Sequence, residues 1–284
     1  MNRSFLGSLP AALLLCTTAV STTAVAATAP QYQLIDLGNT VYAGEGSQWA
    51  TTTFIPVPLE NSWPVLSTTC SNGSFNYVST PEYVISAVGS SCVPGGGQHA
   101  VKWTFPTEVA PTFTLTDLGV LPGALAEPTF GVQSEAIGFN QAGDVVGLSN
   151  SAYTTNASPN GYRIAQHAFL WNNGVMSDLG AIAGNNYNSS AVAVDDSHEV
   201  VGTTQTISSV TGETLQRAFV YTNGTMYNLT FYIIGGPTVL LSKALWIDCQ
   251  GNIAAVGTPA SATGAGGSHS YLLIRQGAAR TCQY

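Results

Sequence analysis

The stretch Gln166-His167-Ala168-Phe169-Leu170-Trp171 returns as Gln216-Arg217-Ala218-Phe219-Val220-Tyr221. An earlier copy reads Gln98-His99-Ala100-Val101-Lys102-Trp103, and a weaker one, Ser268-His269-Ser270-Tyr271-Leu272-Leu273, stands near the end. A second phrase follows: Asp117-Leu118-Gly119, Asp178-Leu179-Gly180 and Asn228-Leu229. A third ends in Val146-Gly147, Val201-Gly202 and Val256-Gly257, and these glycines are 55 residues apart. Text that recurs at a fixed period marks a repeat architecture, in which one copy cannot bury its apolar face alone.

Each copy reads as four strands. Runs with apolar residues at helical spacing are nearly absent, and short runs of Val, Ile, Thr, Phe and Tyr dominate, punctuated by Gly, Asn and Asp. In the best copy the strands fall at Glu135–Phe139, Asp144–Leu148, His167–Trp171 and Val175–Leu179, with Ser151–Gly161 as a loop between strands. Asn173-Gly174 and Asn223-Gly224 are strong hairpin turns, because a type I′ turn needs positive φ at both central residues. Four antiparallel strands in this length is the size of a propeller blade. The chain enters at Tyr32–Gly38, a fourth strand without its first three, and leaves at His269–Ile274, a third strand without its fourth. Pairing the two ends completes one unit and removes an exposed edge. The expectation is therefore an all-β, β-propeller-like fold of four four-stranded blades, or alternatively five, closed by its N- and C-terminal strands. It forms a single domain over residues 27–284, with an enlarged, irregular first unit at about 39–98.

Arg3, the apolar run Phe5–Val20 and the small-x-small sequence Ala24-Val25-Ala26 have the form of a secretory signal peptide over residues 1–26. This places the mature protein outside the cytoplasm, secreted or periplasmic. Cys16 follows Leu15, where lipid attachment wants a small residue. Seven Lys and Arg face fifteen Asp and Glu, a formal net charge of −8. That balance leaves no basic stripe for nucleic acid and no polybasic patch for lipid, and no later segment reads as a membrane span. In an oxidising compartment the four cysteines beyond the leader form two disulfides. Three connectivities are open, and the local pairing Cys70–Cys92 with Cys249–Cys282 is favoured.

The phrases at His167–Gly180 and Ala136–Gly147, and less closely Ala191–Gly202 and Ala218–Leu229, resemble the bacterial HAF extracellular repeat family, named for its His-Ala-Phe core. The resemblance covers most of residues 99–274. It implies a secreted β repeat protein and supplies no catalytic residues.

His99, His167 and His269 share one register, and Arg217 holds the fourth. A ring of imidazoles would suggest a metal, but zinc requires three or four ligands converging in one place. The partners covary instead: His99 goes with Asp117, His167 with Asp178, His269 with Asp36 and Arg217 with Asn228. These read as structural hydrogen-bonded pairs repeated in each unit. The turns Asn140–Asp144, Asp195–Glu199 and Asp248–Asn252 align and read as Asx turns rather than calcium loops. Motifs for a nucleophile elbow, a zinc protease or a phosphate-binding loop are absent from the sequence. The leading expectation is an exported, non-catalytic binding or scaffold module. It takes no cofactor and acts as a monomer on an extracellular protein or glycan, with Trp49 and Trp63 as candidate binding aromatics. The alternative is a secreted polysaccharide hydrolase or lyase using loop carboxylates such as Asp195, Asp196 and Glu199.

Overall fold

The computed structural model describes residues 29–38, 74–79, 84–94, 96–106, 114–155, 163–260, 267–280 and 282. The leader, Trp49, Trp63 and Cys70 lie outside these residues. Strand β1 (Tyr32–Asp36) precedes four sheets laid down in chain order. The first sheet holds β2 (Ser74–Ser79), β3 (Val84–Cys92), β4 (Gln98–Pro106) and β5 (Thr114–Gly119). The second holds β6 (Ser134–Phe139), β7 (Val145–Thr154), β8 (Ile164–Asn172) and β9 (Val175–Asp178). The third holds β10 (Ser189–Val194), β11 (Val200–Ile207), β12 (Thr214–Thr222) and β13 (Thr225–Asn228), followed by a 3₁₀ turn at Leu229–Tyr232. The fourth holds β14 (Val239–Ile247), β15 (Ile253–Pro259) and β16 (His269–Arg275), with β1 in the outer position beside β16.

Within the four sheets the described strands pair antiparallel, and β1 meets β16 in the register Leu34 with Leu273, Ile35 with Leu272 and Asp36 with Tyr271. The chain ends thus share one sheet. Strands β2 and β3 fall within the stretch expected as irregular and pair antiparallel in the first sheet; residues 39–73 lie outside the described residues. Ser151–Thr154, expected as loop, extend β7 instead.

Consecutive sheets are separated by apolar layers. Val88, Ala100 and Leu118 of the first sheet meet Ala136, Phe139 and Phe169 of the second. Val146 and Ala168 of the second meet Ala191, Val194 and Phe219 of the third. The layer between third and fourth holds Val192, Val201, Val220 and Leu229 against Leu241, Ile253, Tyr271 and Tyr32. Burial falls across the second and third sheets. Strand β10 is buried nearly throughout, while β13 is half-buried or exposed. This explains the runs of Ala, Val and Gly in first and second strands: covered on both faces, they have no polar side to alternate with.

Hydroxyls stitch the sheets together. Ser134 Oγ accepts from Ala100 N at 2.7 Å and donates to Gly119 O at 2.6 Å. Ser189 Oγ does the same with Ala168 N and Gly180 O. At the third junction Val239 occupies the serine's place, and the 3₁₀ turn after β13 supplies Thr230 Oγ1 to accept from Leu241 N at 3.0 Å.

The recurrent glycines stand where a first strand bulges. Gly147, Gly202 and Gly257 face Ala136, Ala191 and Leu241, each beside a register shift in the first strand. A Cβ at Gly147 would lie 2.0 Å from Glu135 O, and one at Gly202 would lie 2.1 Å from Ser190 O. Towards the third strand the equivalence breaks. Gly147 and Gly202 pair with Phe169 and Phe219, but Gly257 pairs with His269. A second shift in β14, at Ala244/Trp246, accompanies this slip.

Candidate functional site

The His register is built by the third and fourth strands of each sheet. His99 Nδ1 lies 3.0 Å from Asp117, His167 Nδ1 lies 2.8 Å from Asp178, and His269 Nδ1 lies 2.9 Å from Asp36. Each aspartate also accepts from the backbone N of the glycine two residues on: Gly38 at 2.8 Å, Gly119 at 2.8 Å and Gly180 at 2.7 Å. Those glycines have φ of 74°, 76° and 68°, the left-handed region that glycine enters at little steric cost. The Asp-Leu-Gly phrase is therefore one device, in which a carboxylate closes its own turn and holds the imidazole of the neighbouring strand. The His269 contact and the Gly38 N–H hold the Asp36 carboxyl below its usual range. His167 is fully buried, and its Nε2 lies 2.9 Å from Asn185 O, so this ring is held at both nitrogens. Each Nδ1 is taken up by its own carboxylate, and the described residues contain no group of three potential metal ligands.

The fourth register departs from the expected pairing. Asn228 keeps the turn, accepting from Thr230 N at 3.1 Å, but Arg217 does not bond to it. Arg217 Nη1 donates to Gln216 O at 2.7 Å instead.

A second constellation lies at the turns joining first and second strands. Asn140 Oδ1 accepts from Asp144 N at 2.9 Å, Asp195 Oδ1 from Glu199 N at 2.8 Å, and Asp248 Oδ1 from Asn252 N at 2.7 Å. The fourth position of each turn has positive φ, at Gly143 (95°), His198 (61°) and Gly251 (80°). The turns are tied to one another: Asn140 Nδ2 donates to Asp195 O at 2.9 Å, and His198 Nδ1 lies 2.6 Å from Asp144 Oδ2. Beyond β16, Arg280 forks between Asp195 Oδ2 at 2.6 Å and Glu199 Oε1 at 2.8 Å. Arg275 also bonds Glu199, and Thr222 Oγ1 donates to it at 2.7 Å. The Cys249–Cys282 disulfide fastens this tail to the turn that precedes β15. Cys92 is disulfide-bonded as well.

The two carboxylates of this network are held differently. Burial pushes Asp195 up to about 6 despite Arg280. Burial also acts to raise Glu199, but the bonds from Arg280 and Thr222 outweigh it and hold that group below its usual range. Paired carboxylates driven apart in this way are what an acid–base pair requires. Access is lacking, however. The Asp195 and Glu199 side chains are 0% and 4% exposed, and each is committed to arginine.

Two clefts lined by described residues lie elsewhere. One, of about 320 Å³, opens between the second and third sheets and is lined by Gln133, Asn150, Gln166, Asn186, Asn188 and Gln205, with Tyr187, Glu127 and Arg163 among the remainder. Part of this amide set is fixed: Gln166 N donates to Asn188 Oδ1 at 2.9 Å, and Asn188 N to Gln205 Oε1 at 2.8 Å. The side-chain amides of Gln133 and Gln166 bond to no protein group among the described residues. The only signal for this cleft in the sequence is the glutamine that precedes the register residue at Gln98, Gln166 and Gln216. The other cleft surrounds Arg217. Comparison with family models, with curated proteins and with solved structures returned no match.

Proposed function

We propose that the chain is an exported, non-catalytic binding module of propeller-like build, acting as a monomer, whose ligand is an uncharged, hydroxyl-rich molecule of the extracellular glycan class. The cleft between the second and third sheets carries this reading. Its two uncommitted glutamine amides each offer donors and an acceptor, which is how sugar hydroxyls are read, and Tyr187 adds a ring to the lining. The leader-like residues 1–26 and the resemblance to HAF extracellular repeats support export, as does the Cys249–Cys282 bridge, since such bonds persist in oxidising compartments. No helix among the described residues is long and apolar enough to cross a membrane. Support for the propeller comes from four four-stranded sheets laid down in chain order, with the two chain ends sharing the last one.

A secreted polysaccharide hydrolase or lyase is the second reading, favoured by the raised Asp195 beside the lowered Glu199. Their enclosure and their arginine partners weigh against it. The experiment is titration of the protein against immobilised neutral oligosaccharides, with the Gln133→Leu/Gln166→Leu variant in parallel. Saturable binding that the variant loses roughly tenfold or more supports the reading. Absence of binding across the panel, or equal binding by the variant, refutes it. Release of reducing ends that Asp195→Asn abolishes would establish the hydrolase instead.

A further inference from the structure

We infer that Arg217 is the anchor of a second site, for a small monocarboxylate with an apolar body. The repeat itself exposes the anomaly. At three registers a cationic-capable ring faces an aspartate, and at the fourth the ring has become a permanent cation while the aspartate has become Asn228. Among the described residues no carboxylate lies within ion-pair distance of Arg217. Its one bond, from Nη1 to Gln216 O, leaves most of its five N–H donors for a ligand.

The surroundings specify the rest of the ligand. Arg217 and Asn228 line a groove of about 630 Å³, within the range of roughly 300–1,000 Å³ usual for small-molecule sites. Its walls include Ile182, Ile207, Met226 and Phe231. Phe231 is 69% exposed and Ile207 50% exposed, and Tyr227 and Tyr232 pack edge to face with centroids 5.2 Å apart. Partial burial among these groups lowers the Arg217 pKa, as desolvation of an unpaired cation must. A carboxylate meets a guanidinium fork with two parallel hydrogen bonds. A single positive charge with no second cation in the lining suits a monoanion better than a dianionic phosphate. The apolar walls suit an aliphatic or aromatic body rather than a sugar. This groove shares no lining residue with the amide cleft, so the inference does not depend on the glycan reading.

The test is calorimetric titration of the intact protein with decanoate, with decanol as the uncharged counterpart and with inorganic phosphate. Saturable binding of decanoate, at least tenfold tighter than decanol or phosphate, is the expected result. Arg217→Gln should weaken decanoate roughly 10- to 100-fold while leaving decanol unchanged. Arg217→Lys, which keeps the charge but not the fork, should fall between. If Arg217→Gln does not fold, Phe231→Ala, at an exposed position on the rim, should still weaken decanoate. Equal affinity for decanoate and decanol, undiminished binding by the folded Arg217→Gln variant or, in its place, by Phe231→Ala, or tighter binding of phosphate would each overturn the assignment.

Discussion

Gly147 and Gly174 are both glycines, but for different reasons, and substitution separates them. Gly174 sits at φ 85° in the β8–β9 turn with open space where a Cβ would point. Gly174→Ala therefore costs only the left-handed conformation, about 1–2 kcal/mol. At Gly147 a Cβ would strike Glu135 O at 2.0 Å and the Phe169 ring at 2.9 Å, inside the buried part of the sheet. Strand β7 would have to part from β6, so Gly147→Ala should lose more, about 3 kcal/mol or above. Urea unfolding of the two variants checks the order. A titration effect belongs to the same scale. Asp195 rises from 3.8 to about 6 on folding because it is buried. Between those values the folded chain holds a proton that the unfolded chain has released, so stability falls as pH rises from about 4 to about 6. Glu199 acts in a lower window. Its folded value lies below 4.5, so its contribution is present above 4.5 and is lost as pH falls through the folded value. Asp195→Asn should shrink the decline between pH 4 and 6, to which Asp196, also raised by burial, contributes, and should leave the acid limb, which thermal melts across that range would show.

Elements bring in the tail beyond β16, which no repeat in the sequence foreshadows. Arg280 is the common partner of Asp195 and Glu199, and Cys282 pins it. Removing one member of a buried ionic group leaves the others unpaired, so Arg280→Ala should cost about 3–5 kcal/mol at pH 8. The loss should be smaller at pH 5, where Asp195 takes up a proton. Replacing Cys249 and Cys282 by serine should cost about 2–4 kcal/mol with no such pH dependence. Equal losses at both pH values for Arg280→Ala would show the fork to be incidental. These elements also mark where sequence reading succeeds. The strands, the Asn-Gly turns and the Asp-Leu-Gly device are local, so each copy displays them as text. The β1 strand was legible because a lone fourth strand implies a missing third. The slip that sets Gly257 opposite His269 was not, because the period fixes equivalence along a strand while the ladder fixes it across strands. The amide cleft escaped notice because its residues come from several strands and loops of two sheets and share no spacing. Arg280 escaped because a single tail has no second copy to compare with.

The molecule as a whole depends on β1 more than its five residues suggest. Tyr32 is fully buried in the apolar layer between the third and fourth sheets. Its carbonyl accepts from Ile234 N at 2.8 Å, which joins the start of β1 to the chain leaving the third sheet. At the other end of β1, Asp36 holds His269. A strand so placed closes the fourth sheet and also seals the third against it. Deleting Tyr32–Gly38 would bare the ladder of β16, remove a large side chain from a shared core and free His269. The apolar layers link the four sheets in series, so loosening the last layer should propagate rather than fray one edge. The expected outcome is one unfolding transition at lower denaturant, with amide protection reduced in β10 and β11 as well as in β15 and β16. Hydrogen exchange followed by mass spectrometry gives that reading strand by strand. Two separate transitions, or loss of protection confined to β14–β16, would mean that the sheets are stable independently and that β1 is only an edge.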